Sequence, residues 1–209
     1  MNDIILIGIS GSSGSGKTLI TKTIIDNIGN DKVSIIQEDS YYKDLSDIPF
    51  TERTGKNFDH PDAFEHNLLT NNLKDLKKGK KVEIPVYDYK THTRIKETKT
   101  ISPKKVILLE GILILNDPGI RNLLDIRVYV DAMPDICFIR RLQRDISERD
   151  RSIDSIINQY LNTVRPMYFK YVEPSKKYAD IIIPKGGKNL IAIDIIKTKI
   201  EDLLKQSKH

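Results

Sequence analysis

The stretch GSSGSGKT, residues 11–18, follows the apolar run IILIGIS at residues 4–10. Its spacing matches G-x-x-x-x-G-K-[ST], the pattern of the phosphate-binding P-loop. The glycines let backbone N–H groups wrap around phosphate oxygens, the lysine reaches the terminal phosphates, and the threonine hydroxyl binds Mg²⁺. The preceding apolar run argues against a merely flexible Gly/Ser turn. We therefore predict that a nucleoside triphosphate binds through Gly11, Ser12, Ser13, Gly14, Ser15, Gly16, Lys17 and Thr18.

Short β-branched apolar runs alternate with helical patterns along the chain. The runs are typical of strands buried on both faces, and they cover 4–10, 33–37, 105–111, 125–131 and 179–185. Helices are predicted over 18–28, 62–77, 117–124, 134–146, 153–164 and 189–204. Asp62 and Glu65 form a D-x-x-E start signal for the second helix. This alternation predicts an α/β P-loop NTPase fold, with a parallel five-stranded sheet flanked by helices.

Two segments interrupt the alternation. Residues 82–101 alternate polar and apolar side chains around a turn, which predicts an antiparallel β-hairpin outside the main sheet. SERDRS, residues 147–152, reads as a charged loop between two helices and, with the arginines before it, marks 140–152 as a candidate helical lid region. A chain of 209 residues has room for one domain with a small lid. We expect a single P-loop domain over 1–209 with these two additions.

Composition sets weaker limits. Lys and Arg total 34 against 29 Asp and Glu, and the resulting +5 suits an anionic small substrate as well as a nucleic acid. The single cysteine, Cys137, excludes an intramolecular disulfide and is expected to pack as a small hydrophobe. The apolar run at the start is too short for a signal peptide or a membrane span. We expect a cytoplasmic protein.

Acidic residues follow three of the predicted strands. In open parallel sheets, ligands bind beyond the carboxyl ends of the strands, where Asp39, Glu110 and Asp131 are expected. An acid beside a P-loop holds Mg²⁺ or accepts a proton from an attacking hydroxyl. Asp39 and Glu110, together with Thr18, are the candidate metal ligands, with loop capping as the alternative. For Asp131 a helix-start role is favoured.

Other motifs narrow the class. A switch-type GTPase needs D-x-x-G after the third strand and N-K-x-D, and the sequence has neither. The predicted hairpin instead carries Tyr87, Tyr89 and His92, which offer aromatic faces and an imidazole able to donate or accept a hydrogen bond. Packing of the hairpin explains the same residues equally well.

Four further segments carry a family resemblance. They are NFDHPDAF (57–64), PVYDY (85–89) followed by THTR (91–94), RRLQRDISERDR (140–151) and KKYADIIIPKGG (176–187). With the P-loop, they make the chain resemble the uridine kinase (uridine-cytidine kinase) family of P-loop nucleoside kinases over nearly its whole length. The resemblance implies Mg²⁺-dependent transfer of the γ-phosphoryl group of ATP or GTP to the 5′-hydroxyl of uridine or cytidine, giving UMP and CMP in pyrimidine salvage. It also implies a homotetramer with a small nucleoside, rather than a nucleic acid or membrane, as partner.

The resemblance also implies roles for individual residues. Asp39 corresponds to the acid that takes or orients the 5′-hydroxyl, and Lys17, Arg144 and Arg149 to the groups that stabilise the transferring phosphoryl group. Asp59 corresponds to the carboxylate that binds the ribose hydroxyls. The remaining implied nucleoside-binding residues are Tyr42, Phe58, Tyr87, Tyr89, His92, Arg141, Arg151 and Gln159.

Two positions depart from the family pattern. Asp150 stands where the family often has glycine, and Tyr89 stands where relatives carry phenylalanine. Three alternatives stay open. The arginines of 140–151 also fit a solvated basic helix face, the P-loop fits a kinase for a sugar phosphate or pantothenate, and nucleotide binding without turnover fits a regulator.

Overall fold

The five apolar runs form one parallel β-sheet in the computed structural model, which describes residues 4–29 and 31–205. The strands are β1 (Ile5–Ser10), β2 (Val33–Gln37), β3 (Val82–Asp88), β4 (Thr93–Ile101), β5 (Val106–Gly111), β6 (Ile126–Val130) and β7 (Ile181–Ile183). The main sheet has the order β2-β5-β1-β6-β7, and every neighbouring pair is parallel. All five predicted sheet strands form within their predicted ranges, which confirms this part of the predicted fold.

The sheet has a hydrophobic core on each face. Successive side chains of a strand point to opposite faces, so Leu6 of β1 packs in one core while its neighbour Ile7 packs in the other. Ile107 and Leu108 of β5 divide in the same way. Burial on both faces explains why these strands read as continuous apolar runs.

Helices cover both faces of the sheet. They are α1 (Lys17–Ile28), α2 (Phe50–Arg53), α3 (His66–Lys77), α4 (Pro118–Arg121), α5 (Pro134–Arg149), α6 (Ile153–Gln159), α7 (Arg165–Met167), α8 (Glu173–Ser175) and α9 (Leu190–Lys205). The core with Leu6 contains the buried leucines of α3, and the core with Ile7 contains the buried isoleucines of α1 and α9.

The predicted start of the second long helix is wrong. Helix α3 begins at His66 rather than at residue 62, because Phe64 is extended (φ −109°, ψ 151°) and forms a β-bridge with Tyr42. Asp62 lies in a separate 3₁₀ turn, Pro61–Ala63. Glu65 makes no side-chain cap; its carboxylate accepts a hydrogen bond from Arg94 instead.

The lid region is more helical than predicted. Helix α5 runs to Arg149 and ends at Asp150, which takes a left-handed conformation with φ 53°. The predicted loop 147–152 therefore shrinks to residues 150–152. The helix that follows continues past its predicted end at Val164, through the π-helical turns Tyr160–Val164 and Tyr168–Val172.

Each π turn ends two residues before a proline, Pro166 or Pro174. Proline lacks an N–H and normally interrupts a helix, and π turns are a known local accommodation within helices. Helix α4 is shorter than predicted. The N–H groups of Leu123 and Leu124 bond to the carbonyls three residues earlier instead of four, and the N–H of Asp125 donates to the carbonyl of Leu6 in β1.

Strands β3 and β4 form the predicted hairpin over 82–101 as a separate antiparallel sheet. A register shift between Pro85 and Tyr87 marks a bulge in it. Tyr87 packs into the core that contains Leu6. The hairpin is thus anchored to the body by its β3 side.

Among residues 4–29 and 31–205, no helix combines the length and apolar character that crossing a membrane requires.

Candidate active site

The P-loop connects the carboxyl end of β1 to the start of α1. Gly14 and Gly16 have φ angles of 83° and 102°, which side chains other than glycine rarely adopt. A Cβ at Gly14 would also collide with the carbonyl oxygen of Cys137, and a Cβ at Gly16 would collide with Gly187. These glycines let the loop curl while two other segments pack against its backbone.

Two segments support the P-loop from outside. The backbone N–H of Gly187 donates to the carbonyl of Ser15 at 3.0 Å. On the other side, the Oγ of Ser12 lies 3.1 Å from the Sγ of the buried Cys137. Cys137 therefore packs inside as predicted and adds a polar contact to the loop.

Lys17, at the start of α1, points back into the loop. Its Nζ donates to the carbonyl oxygens of Gly11 and Ser12, both at 2.9 Å. Burial lowers the pKa of Lys17, although the charges of Glu110 and Asp39 oppose this. The ammonium group is thus held where a bound phosphate chain passes over the loop.

Glu110 is the next-to-last residue of β5, the neighbour of β1, and it is buried beside the start of α1. Its carboxylate accepts hydrogen bonds from Thr18 Oγ1 at 3.0 Å, Thr21 Oγ1 at 2.9 Å and Gln37 Nε2 at 2.8 Å. Asp39 lies in the 3₁₀ turn after β2. Two of the predicted metal ligands, Thr18 and Glu110, therefore touch, and Asp39 lines the cleft that they face.

This donor set fits Mg²⁺. Within residues 4–29 and 31–205, no three His, Cys, Asp or Glu side chains are grouped so as to hold a metal ion by themselves. Mg²⁺ usually keeps several waters and binds through one or two carboxylates and substrate phosphates. A threonine hydroxyl and carboxylates beside a phosphate-binding loop match that requirement.

Two cavities adjoin at this edge of the sheet. The first, the P-loop cleft, has a volume of about 610 Å³ and is lined by Lys17, Thr18, Asp39, Glu110, Arg144 and Arg149, among others. The second, the aromatic pocket, has a volume of about 80 Å³. Every predicted nucleoside-binding residue lines it: Tyr42, Phe58, Asp59, Tyr87, Tyr89, His92, Arg141, Arg151 and Gln159.

The predicted catalytic residues lie where the two cavities meet. Asp39, Arg144 and Arg149 line both cavities, as does Ser13 of the P-loop. Lys17 lines the P-loop cleft. A group held in the aromatic pocket would therefore face the end of a phosphate chain held on the P-loop.

Aromatic side chains form one wall of the aromatic pocket. Phe58 stacks on the ring of His92, with 4.7 Å between centroids and 16° between planes. The ring of Tyr42 packs against the rings of Phe58 and Tyr87, with centroid distances of 5.6 and 5.0 Å. Burial lowers the pKa of His92, and the charges of Arg151 and Arg149 lower it further, so the imidazole is neutral near pH 7. A neutral imidazole has one donor and one acceptor nitrogen.

Polar groups form the opposite wall. Asp59 is buried, with Arg141 Nη1 at 3.9 Å from its carboxylate. Burial raises the pKa of Asp59, while the charge of Arg141 opposes the increase. Gln159 Oε1 accepts from Arg141 Nη2 at 2.9 Å and Arg151 Nη1 at 2.6 Å. This wall offers a carboxylate and several guanidinium donors to a polar ligand.

The two positions that depart from the family pattern link the hairpin to the lid region. Lys90 of the hairpin donates to the carboxylate of Asp150 at 3.0 Å. The Arg149 guanidinium lies over the ring of Tyr89 at 4.4 Å, and the Tyr89 hydroxyl donates to Asp39 at 3.3 Å. The hydroxyl that a phenylalanine would lack thus contacts Asp39, the predicted catalytic carboxylate.

Sequence reasoning missed Asp145. This fully buried carboxylate on α5 lies within 4.0 Å of the guanidinium nitrogens of Arg141, Arg144, Arg149 and Arg151. Burial opposes its ionisation, but the charges of Arg144, Arg141 and Arg149 hold the pKa of Asp145 below its usual range. The spacing of Arg141, Asp145 and Arg149, four residues apart on one helix face, was the available signal.

A second missed group lies behind Asp39. Glu38 is fully buried and accepts hydrogen bonds from the N–H of Leu113 and the Nε2 of His66, both at 2.9 Å. His66 Nδ1 lies 3.4 Å from Asp117. The turn that carries Asp39 is thus fixed to the loop after β5.

The helix-start role favoured for Asp131 is wrong. Asp131 instead forms an ion pair with Lys176, and Met133 takes the position before α5.

A P-loop beside a buried acid, with arginines at the junction to a second pocket, defines a P-loop enzyme that transfers a phosphoryl group. Comparison with known proteins gives the family. Residues 6–192 match the model of the Phosphoribulokinase / Uridine kinase family. The chain belongs to this family.

Individual relatives agree. The chain is 55% identical over 204 residues to the uridine kinase of Shewanella denitrificans, with 96% of each chain covered. It is 52% identical over 205 residues to the uridine kinase of Ligilactobacillus salivarius, covering 98% of this chain and 96% of the relative. Among solved structures, phosphoribulokinase from Rhodobacter spheroides aligns with a TM-score of 0.63 at 16% identity, over 87% of this chain and 70% of that one. That likeness shows the fold.

Proposed function

We propose that this protein is a uridine kinase that transfers the γ-phosphoryl group of ATP or GTP to the 5′-hydroxyl of uridine or cytidine. The products are UMP or CMP and the nucleoside diphosphate, a pyrimidine salvage reaction. The observation that carries the proposal is the junction of the two cavities, where Asp39, Arg144 and Arg149 face both a phosphate-binding loop and an aromatic pocket. The relatives named uridine kinase, at 52% and 55% identity, support it.

On the donor side, the P-loop backbone and Lys17 bind the phosphate chain. Thr18, Glu110 and Asp39, together with phosphate oxygens, would hold Mg²⁺, and the bound ion would neutralise phosphate charge there. The three side chains that donate hydrogen bonds to Glu110, namely Thr18, Thr21 and Gln37, hold its carboxylate in a fixed orientation. In phosphoryl transfer the protein contributes mainly positioning and charge stabilisation.

At the junction, the Asp39 carboxylate accepts the proton of the nucleoside 5′-hydroxyl as the 5′-oxygen attacks the γ-phosphorus. The bond from the γ-phosphorus to the β,γ-bridging oxygen breaks, and the nucleoside diphosphate leaves. The Tyr89 hydroxyl, bound to Oδ2 of Asp39 at 3.3 Å, orients that carboxylate. Arg144 and Arg149 stabilise the negative charge on the oxygens of the transferring group. Arginines placed in this way contribute about 10³-fold or more to the rate.

On the acceptor side, Asp59 accepts hydrogen bonds from the 2′- and 3′-hydroxyls of the ribose, and Arg141 and Gln159 complete this wall. A 2′-deoxynucleoside leaves one of these bonds unmade, which costs affinity when the partner is buried. Phe58, Tyr42, Tyr87 and Tyr89 enclose the base. The neutral His92 offers a donor or an acceptor nitrogen, so it accommodates both the 4-oxo group of uridine and the 4-amino group of cytidine.

The test is a product assay with purified protein and Mg-ATP. Uridine, cytidine, 2′-deoxyuridine, adenosine and no acceptor are compared, and ADP and nucleoside monophosphate are quantified together. We expect UMP and CMP in a 1:1 ratio to ADP, with little product from 2′-deoxyuridine or adenosine. ADP release without a pyrimidine product would refute the proposal. Repeating the assay with GTP ranks the two donors.

We also propose a single domain over 1–209, from the chain length, and a cytoplasmic location, from the single cysteine and the short apolar run at the start. The homotetrameric assembly that we propose rests on the family resemblance alone. Light scattering during gel filtration tests the tetramer directly.

A further inference from the structure

Asp145 contacts two separate pairs of arginines through its two carboxylate oxygens. Oδ1 accepts from Arg144 Nε and Nη2 at 3.0 and 2.8 Å, and Arg149 Nη1 lies 3.5 Å from the same oxygen. Oδ2 lies 3.3 Å from Arg151 Nη1 and 3.7 Å from Arg141 Nε. The carboxylate is fully buried, so these side chains form its surroundings.

The two pairs serve different parts of the site. Arg144 and Arg149 line the P-loop cleft and its junction with the aromatic pocket. Arg141 and Arg151 line the aromatic pocket and share Gln159 as a second acceptor. One oxygen of Asp145 therefore faces the phosphate side and the other faces the nucleoside side.

One carboxylate cannot satisfy four guanidinium groups. A guanidinium has five N–H donors, so Arg144 keeps donors on Nη1 for a phosphate while it binds Asp145. A phosphate group that draws Arg144 and Arg149 toward itself weakens their hold on Asp145. The negative charge of Asp145 then becomes more available to Arg141 and Arg151, because opposite charges at this distance attract strongly in a buried site. Asp145 thereby holds these two side chains more firmly where they line the aromatic pocket, which lowers the cost of ordering them when a nucleoside binds.

We infer that Asp145 couples the two binding steps: a phosphate donor on the P-loop tightens nucleoside binding through Asp145, and a nucleoside tightens donor binding equally. Such coupling is reciprocal by thermodynamic necessity. Asp145 is a positioning residue in this scheme, since it contacts the arginines rather than either substrate. The inference rests on the proposed function, because it assumes that the aromatic pocket takes the nucleoside.

The test measures uridine binding by titration calorimetry with and without saturating Mg²⁺ and the β,γ-imido analogue of ATP. The ratio of the two dissociation constants is the coupling factor. For the unmodified chain we expect a factor of about 5 or more, the usual lower range of such effects. For Asp145→Asn, which keeps the shape and removes the charge, we expect a factor within about twofold of 1.

Asp135→Asn is the matched control. It removes one carboxylate from the same helix α5, but at an exposed position in its first turn. We expect its coupling factor to equal that of the unmodified chain. Thermal melting of all variants shows whether each one folds. If Asp145→Asn does not fold, Asp145→Glu keeps the charge and displaces it by one methylene, and the factor is expected to fall in the same way.

Two results overturn the inference: a factor near 1 in the unmodified chain, or an unchanged factor in a folded Asp145 variant. The assay also separates this inference from the proposed function. If the chain makes UMP but its coupling factor is near 1, the proposed function stands and the coupling is refuted. A chain that neither binds uridine nor makes UMP loses both.

Discussion

The buried pair of His66 and Glu38 makes the stability of this protein depend on pH. Burial by itself would lower the pKa of His66, but hydrogen bonds to Asp117 and Glu38 outweigh it and raise the pKa to about 9. The ordinary value is 6.5, and each pH unit between the two values corresponds to about 1.4 kcal/mol. The protonated imidazole therefore contributes about 3 kcal/mol to the free energy of unfolding.

The direction follows from the raised pKa. Below pH 6.5 the imidazole is protonated in both folded and unfolded chains, so the full stabilisation is present. As the pH rises from 6.5 through about 9, the folded chain holds a proton that the unfolded chain has lost, and the stabilisation disappears. Above that range a neutral imidazole remains beside Glu38.

Urea unfolding of the unmodified chain and of His66→Gln, at intervals between pH 6 and pH 10, measures this contribution. Glutamine keeps a donor near Glu38 and does not titrate, so the difference between the two chains isolates the proton. We expect the difference to fall by about 3 kcal/mol between pH 6 and pH 10. A difference that stays constant with pH would show that the pKa of His66 is the same in the folded and unfolded chains, which refutes the raised value.

Four substitutions test the site itself. Asp39→Asn should lower kcat by about 10²- to 10⁴-fold with uridine affinity nearly unchanged, and unchanged turnover in a steady-state assay would remove Asp39 from its role. Lys17→Ala should lower kcat/KM for ATP by about 10²-fold and leave uridine binding intact; equal loss of both in calorimetry would indicate a folding defect. His92→Ala should raise KM for uridine and cytidine alike, by about tenfold, and an effect on cytidine alone contradicts the donor-or-acceptor account. Asp59→Asn should reduce the preference for uridine over 2′-deoxyuridine by about tenfold or more, which competition between the two substrates measures directly.

The sheet was predictable because its central strands β1 and β5 are buried on both faces. Burial on both faces, expected for 179–185 as well, fails at the edge strand β7, where Ile181 and Ile182 are exposed. Runs such as IILIGIS are apolar throughout, and the P-loop that follows fixes the place of β1 in the fold. The predicted helix bounds are wrong where a contact between residues far apart in the sequence decides them. The bridge between Phe64 and Tyr42 holds the chain extended ahead of α3, and no local pattern announces it.

The prediction for the lid region was wrong for a different reason. The charge of residues 147–152 favours a loop, but this stretch contains no glycine or proline that would end the helix before Asp150, which adopts a left-handed conformation. The predicted end at Val164 is also wrong, although Pro166 follows and proline disfavours helical conformation in the residue before it. The π turns keep the helix continuous there.

The residues implied by the family resemblance gather at two adjoining cavities, although their individual roles stay predictions. The residues that hold them in place were not found. Glu38 depends on Leu113, 75 positions away, and on His66, so its role exists only in the folded chain. Asp145 had a local signal in the arginines four residues on either side, but four arginines around one acid also fit an exposed charged helix.

The hairpin of β3 and β4 pairs with no strand of the main sheet in the described ranges. Its exposed β4 side and its turn carry little of the core, while its tip supplies His92 and Tyr89 to the aromatic pocket. Changes in residues 88–93, between the core residue Tyr87 and Arg94, therefore alter what the pocket accepts without disturbing the sheet that positions the P-loop. Specificity for the acceptor can therefore change in evolution while the site that binds the phosphate donor stays the same. Exchanging hairpin tips between relatives is a practical route to altered nucleoside preference.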